Sequence, residues 1–286
     1  MMTFKERVVL LLLAFLNALR CQNVTSKEQL LNYRVLVCGL GSAGVGVSNQ
    51  IRAVLQIKFN LTTEESLKIF YATDSKGLVH TKRGDVLQPF KLPYARTDVT
   101  ENYSKLVDVV NYVKPNALIG LTGTPGEFSD DIIKIMKNNN ERPIIMPLSN
   151  ATTKAECTFE KALTLTEGDV VFASGSPFEA VEYKNKTYKA PQGNNLYAFP
   201  GIGFGAWLSQ SSCVTDEMIN EATIALANTV SDEHVRLGLL YPEISQIREV
   251  TPKIAAHVAL CAFKQGLTHN NNLNYNDLDE LISQIK

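Results

Sequence analysis

The chain has 286 residues, 45% of them hydrophobic and 20% charged, with a net charge of −1. That length holds one large or two ordinary domains with a real core, and the near-neutral balance gives no reason to expect nucleic acid or a membrane surface as partner. The five cysteines, Cys21, Cys38, Cys157, Cys213 and Cys261, are odd in number and widely spaced. That spacing argues against a disulfide framework or a zinc site and fits a reducing compartment.

In chain order, the first feature is an apolar run from Val8 to Leu19 after a basic start. It suits a signal-peptide core or a buried helix better than a membrane span. Five N-x-S/T triplets, at Asn23, Asn60, Asn102, Asn150 and Asn185, fit secretion but also arise by chance. Beyond residue 33 short apolar strands alternate with amphipathic helices. Strands are expected at 35–38, 69–73, 117–121, 144–148 and 170–173, and helices at 45–57, 104–113 and 129–137. Short continuous apolar runs between helices imply α/β architecture, a Rossmann-type doubly wound parallel sheet with flanking helices. Two further helices follow at 215–230 and 251–265, the latter with Thr251 as N-cap, Pro252 in the first turn and Gly266 as terminator. His257 lies within this helix, and the four histidines (His80, His234, His257, His269) include no ligand-spaced pair. The Asn-rich stretch 268–286 reads as a polar, peripheral tail.

The strand ends carry the informative residues. They read Gly39-Leu40-Gly41, Asp74-Ser75, Thr122-Gly123-Thr124, Ser149-Asn150 and Ser174-Gly175-Ser176. In an open parallel sheet, ligands bind beyond the carboxyl ends of the strands. Gly39-x-Gly41-x-x-Gly44 stands between a strand and a helix, the context of a dinucleotide fingerprint. Gly39 would make the tight turn, Gly41 admit the pyrophosphate, and Gly44 let the helix close on the strand. The helix N-terminus at Ser42 and Ala43 favours the phosphate charge. Asp74 occupies the position where a carboxylate accepts from the adenine ribose, though further along than the typical ~20 residues. The polar insert at 58–67 accounts for the excess.

Several stretches in order over about 260 residues resemble the NAD(P)-binding domain of malic enzymes. They are "LAFLNALR", "DSKGLV", "KPNALIG", "ERPIIMPLSNATTKAEC", "FASGSPF", "GNNLYAFPGIGFG" and "VSDEHVRLGLLYPEISQIREVTPKIA". The resemblance implies a leading apolar helix at 1–20, a dinucleotide-binding domain at 21–267 and a polar tail. It implies oxidative decarboxylation of L-malate to pyruvate and carbon dioxide, with NAD or NADP taking the hydride, in a cytoplasmic or mitochondrial homo-oligomer. By position it assigns Thr122, Gly123 and Asn150 to the cofactor crevice. Asn150, Asn194 and Asn195 fall at the family's substrate and nicotinamide-pocket asparagines. The family usually has proline where Ala151 stands, a change that removes no functional group.

Cofactor choice rests on Ser75 and Lys91. Lys91 lies in "LQPFKLPYA", similar to the stretch where NADP-using members carry a lysine, and an ammonium pairs with a 2′-phosphate while a hydroxyl donates to it. Asp74 on its own favours a ribose hydroxyl, so NADP and NAD both stay open. The family also implies a divalent magnesium or manganese ion and an acid–base tyrosine and lysine. It places these before the helix that begins near Arg7, where this sequence has "MMTFKER" with a single Glu6. No catalytic or metal-ligating residue is therefore assigned within the chain. Two readings follow: the dinucleotide-binding part of a malate-decarboxylating enzyme, or an NAD(P)-binding remnant or regulatory partner without turnover of its own.

Overall fold

A computed structural model of the protein describes residues 2–191, 193, 195–270 and 272–285, with side chains from Val9 onward except at 195. The chain forms two compact units, Met1–Arg20 with Gly193–Lys286, and Cys21–Gln192.

The unit formed by Cys21–Gln192 is built on six strands: β1 (Val35–Cys38), β2 (Phe70–Asp74), β3 (Gly77–Leu78), β4 (Ala117–Gly120), β5 (Ile144–Pro147) and β6 (Val171–Phe172). Their order is β3-β2-β1-β4-β5-β6, parallel throughout except for β3, which turns back along β2 as an antiparallel edge. The sheet is thus mixed at one edge and otherwise the parallel, Rossmann-like sheet that the apolar runs imply. All four residues of β1, β4 and β5 are buried, as expected of strands covered on both faces. On one face Leu36, Cys38, Leu118, Ile145 and Phe172 pack with apolar residues of helices Leu106–Val113, Asp130–Asn139 and Phe159–Leu165. On the other, helix Ser42–Phe59 lies so close that a methyl group on Gly44 would sit 3.8 Å from a Val37 methyl. A two-stranded hairpin, β7 (Val181–Tyr183) with β8 (Lys186–Tyr188), was not expected from the sequence. Its turn is carried by Lys184 and Asn185, both at positive φ.

The other unit is helical. The leading run forms helix Met2–Cys21, and its residues Val9, Leu12, Leu13, Phe15, Leu16 and Leu19 are buried. Among the described residues no helix is long and apolar enough to cross a membrane. Arg20 donates to the carbonyls of Ala227 and Val230 and pairs with Asp232 at 2.5 Å. It thereby holds the carboxyl end of helix Asp216–Thr229, where a cation complements the macrodipole. Helix Phe199–Leu208 crosses helix Ile247–Lys264 at Gly201 and Gly205, one turn apart. A methyl on Gly205 would meet the Ala255 carbonyl oxygen at 2.5 Å.

Two boundaries depart from the sequence reading. The helix expected to start at Thr251 begins at Ile247, so Thr251 is not its cap: the Thr251 hydroxyl donates to the Ile247 carbonyl at 2.8 Å. Pro252 accordingly lies inside the helix, where it leaves one backbone bond unmade. The polar tail also folds further than its composition suggests. Helix Leu278–Ile285 buries Leu281 and Ile285 with Tyr275 against Ala255, Ala256 and Ala259, and Tyr275 stacks on Phe263 with ring centres 4.5 Å apart.

The packing at Gly44 is directly testable. A methyl there would lie 2.2 Å from the Gly39 carbonyl oxygen, whereas one on Gly46, in the same helix, meets nothing within 4 Å. Gly44→Ala should destabilise the protein by about 1–3 kcal/mol through overpacking. Gly46→Ala should be neutral or stabilise by up to about 1 kcal/mol through helix propensity. Denaturant midpoints of the two variants check the contrast.

Candidate functional site

The turn after β1 is fixed from two sides. Gly39 and Leu40 both donate to the Thr73 carbonyl, at 3.0 and 2.7 Å, which ties the turn to the end of β2. Gly39 has φ +97°, and a methyl on it would meet the Leu121 carbonyl oxygen at 2.6 Å, so the turn also presses on the end of β4. Gly41 is different: nothing lies within 4 Å of where its side chain would be. It is the N-cap of helix Ser42–Phe59 and supplies no side-chain cap. The first N–H groups of a helix have no carbonyl within it to receive them, and Gly41, Ser42 and Ala43 are exposed. The result is an open, partially positive cradle suited to an anion.

At the end of β2 the sequence-predicted carboxylate is found inside an ion cluster. Arg83 grips Asp74 with two parallel bonds, at 2.7 and 3.0 Å, and the Lys91 ammonium donates to it at 2.8 Å. The backbone N–H of Lys76 adds a fourth bond at 3.0 Å. A carboxylate has about four acceptor sites, so Asp74 is saturated. Arg83 also pairs with Asp85, which Lys76 contacts from outside. The side chains of Asp74, Arg83 and Lys91 are 9%, 6% and 15% exposed. Burial alone would raise the Asp74 carboxyl, but the bonds from Arg83 and Lys91 outweigh it and hold the group down at about 2. Ser75, next in sequence, is exposed beside the cluster.

The ends of β4 and β5 are joined by a residue to which the sequence reading gave no role. Glu156, fully buried, accepts from the Thr122 N–H at 2.9 Å, the Thr122 hydroxyl at 3.1 Å and the Ser149 hydroxyl at 2.5 Å. The Ser149 oxygen in turn accepts from the Gly123 N–H at 2.9 Å. Asn150 stands exposed beyond Ser149, its side-chain amide oxygen Oδ1 accepting from the Ser176 hydroxyl at 3.1 Å. The Asn150–Ala151 peptide is cis.

A family model described as "Malic enzyme, NAD binding domain" matches residues 9–263. The chain belongs to the malic enzyme family. It is 44% identical over 257 residues to an NADP-dependent malic enzyme of Dictyostelium discoideum, covering 90% of this chain and 46% of that protein. An NADP-dependent malic enzyme 1 of Arabidopsis thaliana is 42% identical over 85% of this chain and 41% of its own length. The chain therefore spans less than half the length of these two relatives. Among solved structures, a malic enzyme of Entamoeba histolytica superposes with a TM-score of 0.69 at 23% identity, over 98% of this chain and 53% of that one. An NAD-dependent malic enzyme of Thermotoga maritima gives 0.61 over 89% and 58%. At that identity the likeness is one of fold.

In this malic enzyme domain the structure gathers Gly39, Gly41, Ser42, Ala43, Gly44, Asp74, Ser75, Lys91, Thr122, Gly123 and Asn150 at the carboxyl ends of the strands of one sheet. Asn194 and the side chain of Asn195 lie outside the described residues. Arg83 and Glu156 were missed. Arg83 had one usable signal, a cation in a short turn ("KRGD") nine residues after the ribose-position carboxylate. Glu156 had none, because its partners come from two strand ends that only the fold brings together. For the divalent metal the fit is poor. No group of three or more His, Cys, Asp or Glu among the described residues is placed to hold an ion.

The ion cluster makes a pH prediction. Asp74 titrates at about 2 in the fold and near 3.9 in an unfolded chain. Because folding lowers the value, the cluster's stabilisation is fully present above about pH 4 and is lost as pH falls toward 2. The stability gap between the natural protein and Asp74→Asn should be largest near neutrality and shrink below about pH 3, as read from urea midpoints across that range.

Proposed function

We propose that this chain provides the NADP-binding part of a malic-enzyme reaction, the oxidative decarboxylation of L-malate to pyruvate and carbon dioxide. The observation that carries the cofactor choice is the saturated Asp74. A free carboxylate at this position would accept from the two hydroxyls of an NAD ribose. Here both of its oxygens are committed to Arg83 and Lys91, so it presents cations rather than an acceptor. The five Arg83 N–H donors are already spent on Asp74, Asp85 and the Gly77 and Leu78 carbonyls, so Arg83 fixes the cluster. Lys91, with one donor on Asp74, presents a compact point charge suited to a phosphate monoester. The NADP-dependent relatives support the same reading.

The remaining residues take roles along the nucleotide. The helix N-terminus at Ser42 and Ala43 binds the pyrophosphate, which the open space at Gly41 admits. Gly39 and Gly44 set that approach by drawing the turn against β4 and the helix against the turn. Lys91, kept in place by the Asp74–Arg83 pair, holds the 2′-phosphate, with the Ser75 hydroxyl as a further donor. Thr122, Gly123 and Asn150 border the nicotinamide half, and Asn150 orients malate through a neutral amide that adds no charge. When bound, NADP supplies the hydride acceptor.

Calorimetric titration of the full chain with each nucleotide tests this. The natural protein should bind NADP more tightly than NAD. A charge-assisted phosphate contact contributes roughly 1.5–3 kcal/mol, so Lys91→Ala should weaken NADP binding about ten- to a hundred-fold and leave NAD unchanged. Equal losses for the two nucleotides would remove Lys91 from the phosphate site.

A further inference from the structure

Glu156 is fully buried, a costly place for a carboxylate unless its acceptor sites are filled. Four neutral donors fill them: the Thr122 N–H and hydroxyl, the Ser149 hydroxyl, and the Ser149 N–H at 3.4 Å on the second oxygen. The Ser149 hydroxyl passes the contact on to the Gly123 N–H. One side chain thus governs the backbone at the ends of both β4 and β5. The space for it is kept by Gly120, where a methyl group would come within 2.5 Å of the Glu156 carboxyl carbon.

The sheet order says which part of a ligand this clasp faces. The pyrophosphate cradle follows β1, and the Asp74 cluster that takes the adenosine end follows β2, on one side of it. A dinucleotide laid across the strand ends therefore runs its other half over β4 and β5, where Thr122, Gly123, Ser149 and Asn150 stand. Turning the Thr122 and Gly123 N–H groups inward removes them as anion donors and leaves the outer surface of the loops to hydroxyl, carbonyl and amide groups. Those suit a ribose and a carboxamide, not a phosphate. We propose that Glu156 is a positioning residue for the nicotinamide half of the cofactor, holding the β4 and β5 loops in the shape that half requires while touching no part of the nucleotide. The proposal rests on the dinucleotide reading of the crevice given above.

The test compares the whole cofactor with its adenosine half. The full chain is titrated calorimetrically with NADP and with adenosine 2′,5′-bisphosphate, which lacks the nicotinamide nucleotide. Glu156→Gln keeps the size of the side chain but replaces one acceptor oxygen with a donor. It should weaken NADP binding about ten-fold, the worth of one lost charge-assisted bond, and leave the bisphosphate within about two-fold. Ser149→Ala, a milder change that removes only the relay, should weaken NADP about three-fold and again spare the bisphosphate. If circular dichroism shows Glu156→Gln unfolded, the serine variant decides alone. Parallel losses for both ligands, or no loss for NADP, would overturn the proposal while leaving the crevice intact. A natural protein that binds neither ligand would overturn the crevice reading and this proposal with it.

Discussion

There is no room for a methyl group between the Gly39 carbonyl and the helix that follows it. A Cβ on Gly44 would stand 2.2 Å from that oxygen, and one on Gly39 would stand 2.6 Å from the Leu121 carbonyl oxygen on the other side. This close approach pins three elements to one turn: the central strand β1, its neighbour β4, and helix Ser42–Phe59. Leu40 closes the fourth side by donating to Thr73 at the end of β2. Everything proposed for the site depends on this contact. It aims the helix N-terminus at the place where strand order reverses, and it leaves Gly41 as the one glycine of the fingerprint with open space beside it.

Around that turn the two sides of the crevice use charge in opposite ways. Beyond β2, Asp74 is spent on organising Arg83 and Lys91, so that two cations stay in place without a ligand and without mutual repulsion driving them apart. Beyond β4 and β5, Glu156 is spent on backbone N–H groups and hydroxyls, and no cation takes part in the bonds described. Each carboxylate acts through the groups it holds. The difference between the two sides follows from partners: a fork and an ammonium in one case, neutral donors in the other.

Much of this was legible in the sequence. The apolar runs locate five parallel strands to within a residue or two, because a strand buried on both faces has to be apolar at every position. The glycine spacing marks the turn, because only glycine takes φ +97° at Gly39 without strain. The illegible parts are those decided by tertiary contact. β3 is two residues long and is set by its pairing with β2 and by contacts from Tyr103 and Arg83. Thr251 and Pro252 look like a helix start, yet the preceding turn of helix forms as well. The stretch after Leu267 is rich in asparagine, yet its apolar residues, with Tyr275, Leu281 and Ile285 buried, dock it against helix Ile247–Lys264. Arg83 is announced only by the "KRGD" turn, and Glu156 acts through two strand ends that the fold brings together, with no local pattern to announce it.

The central claim is that the Asp74 cluster is built to receive a phosphate monoester. Phosphorus NMR of NADP bound to the full chain, followed across pH, measures this at the atom concerned. A phosphate monoester free in solution takes up its second proton near pH 6. Held by Lys91, the 2′-phosphate should remain a dianion well below that value, and Lys91→Ala should return its titration most of the way toward that of free NADP. A bound 2′-phosphate that titrates as it does in solution would contradict the account, because it would mean that the cations of this cluster do not touch it.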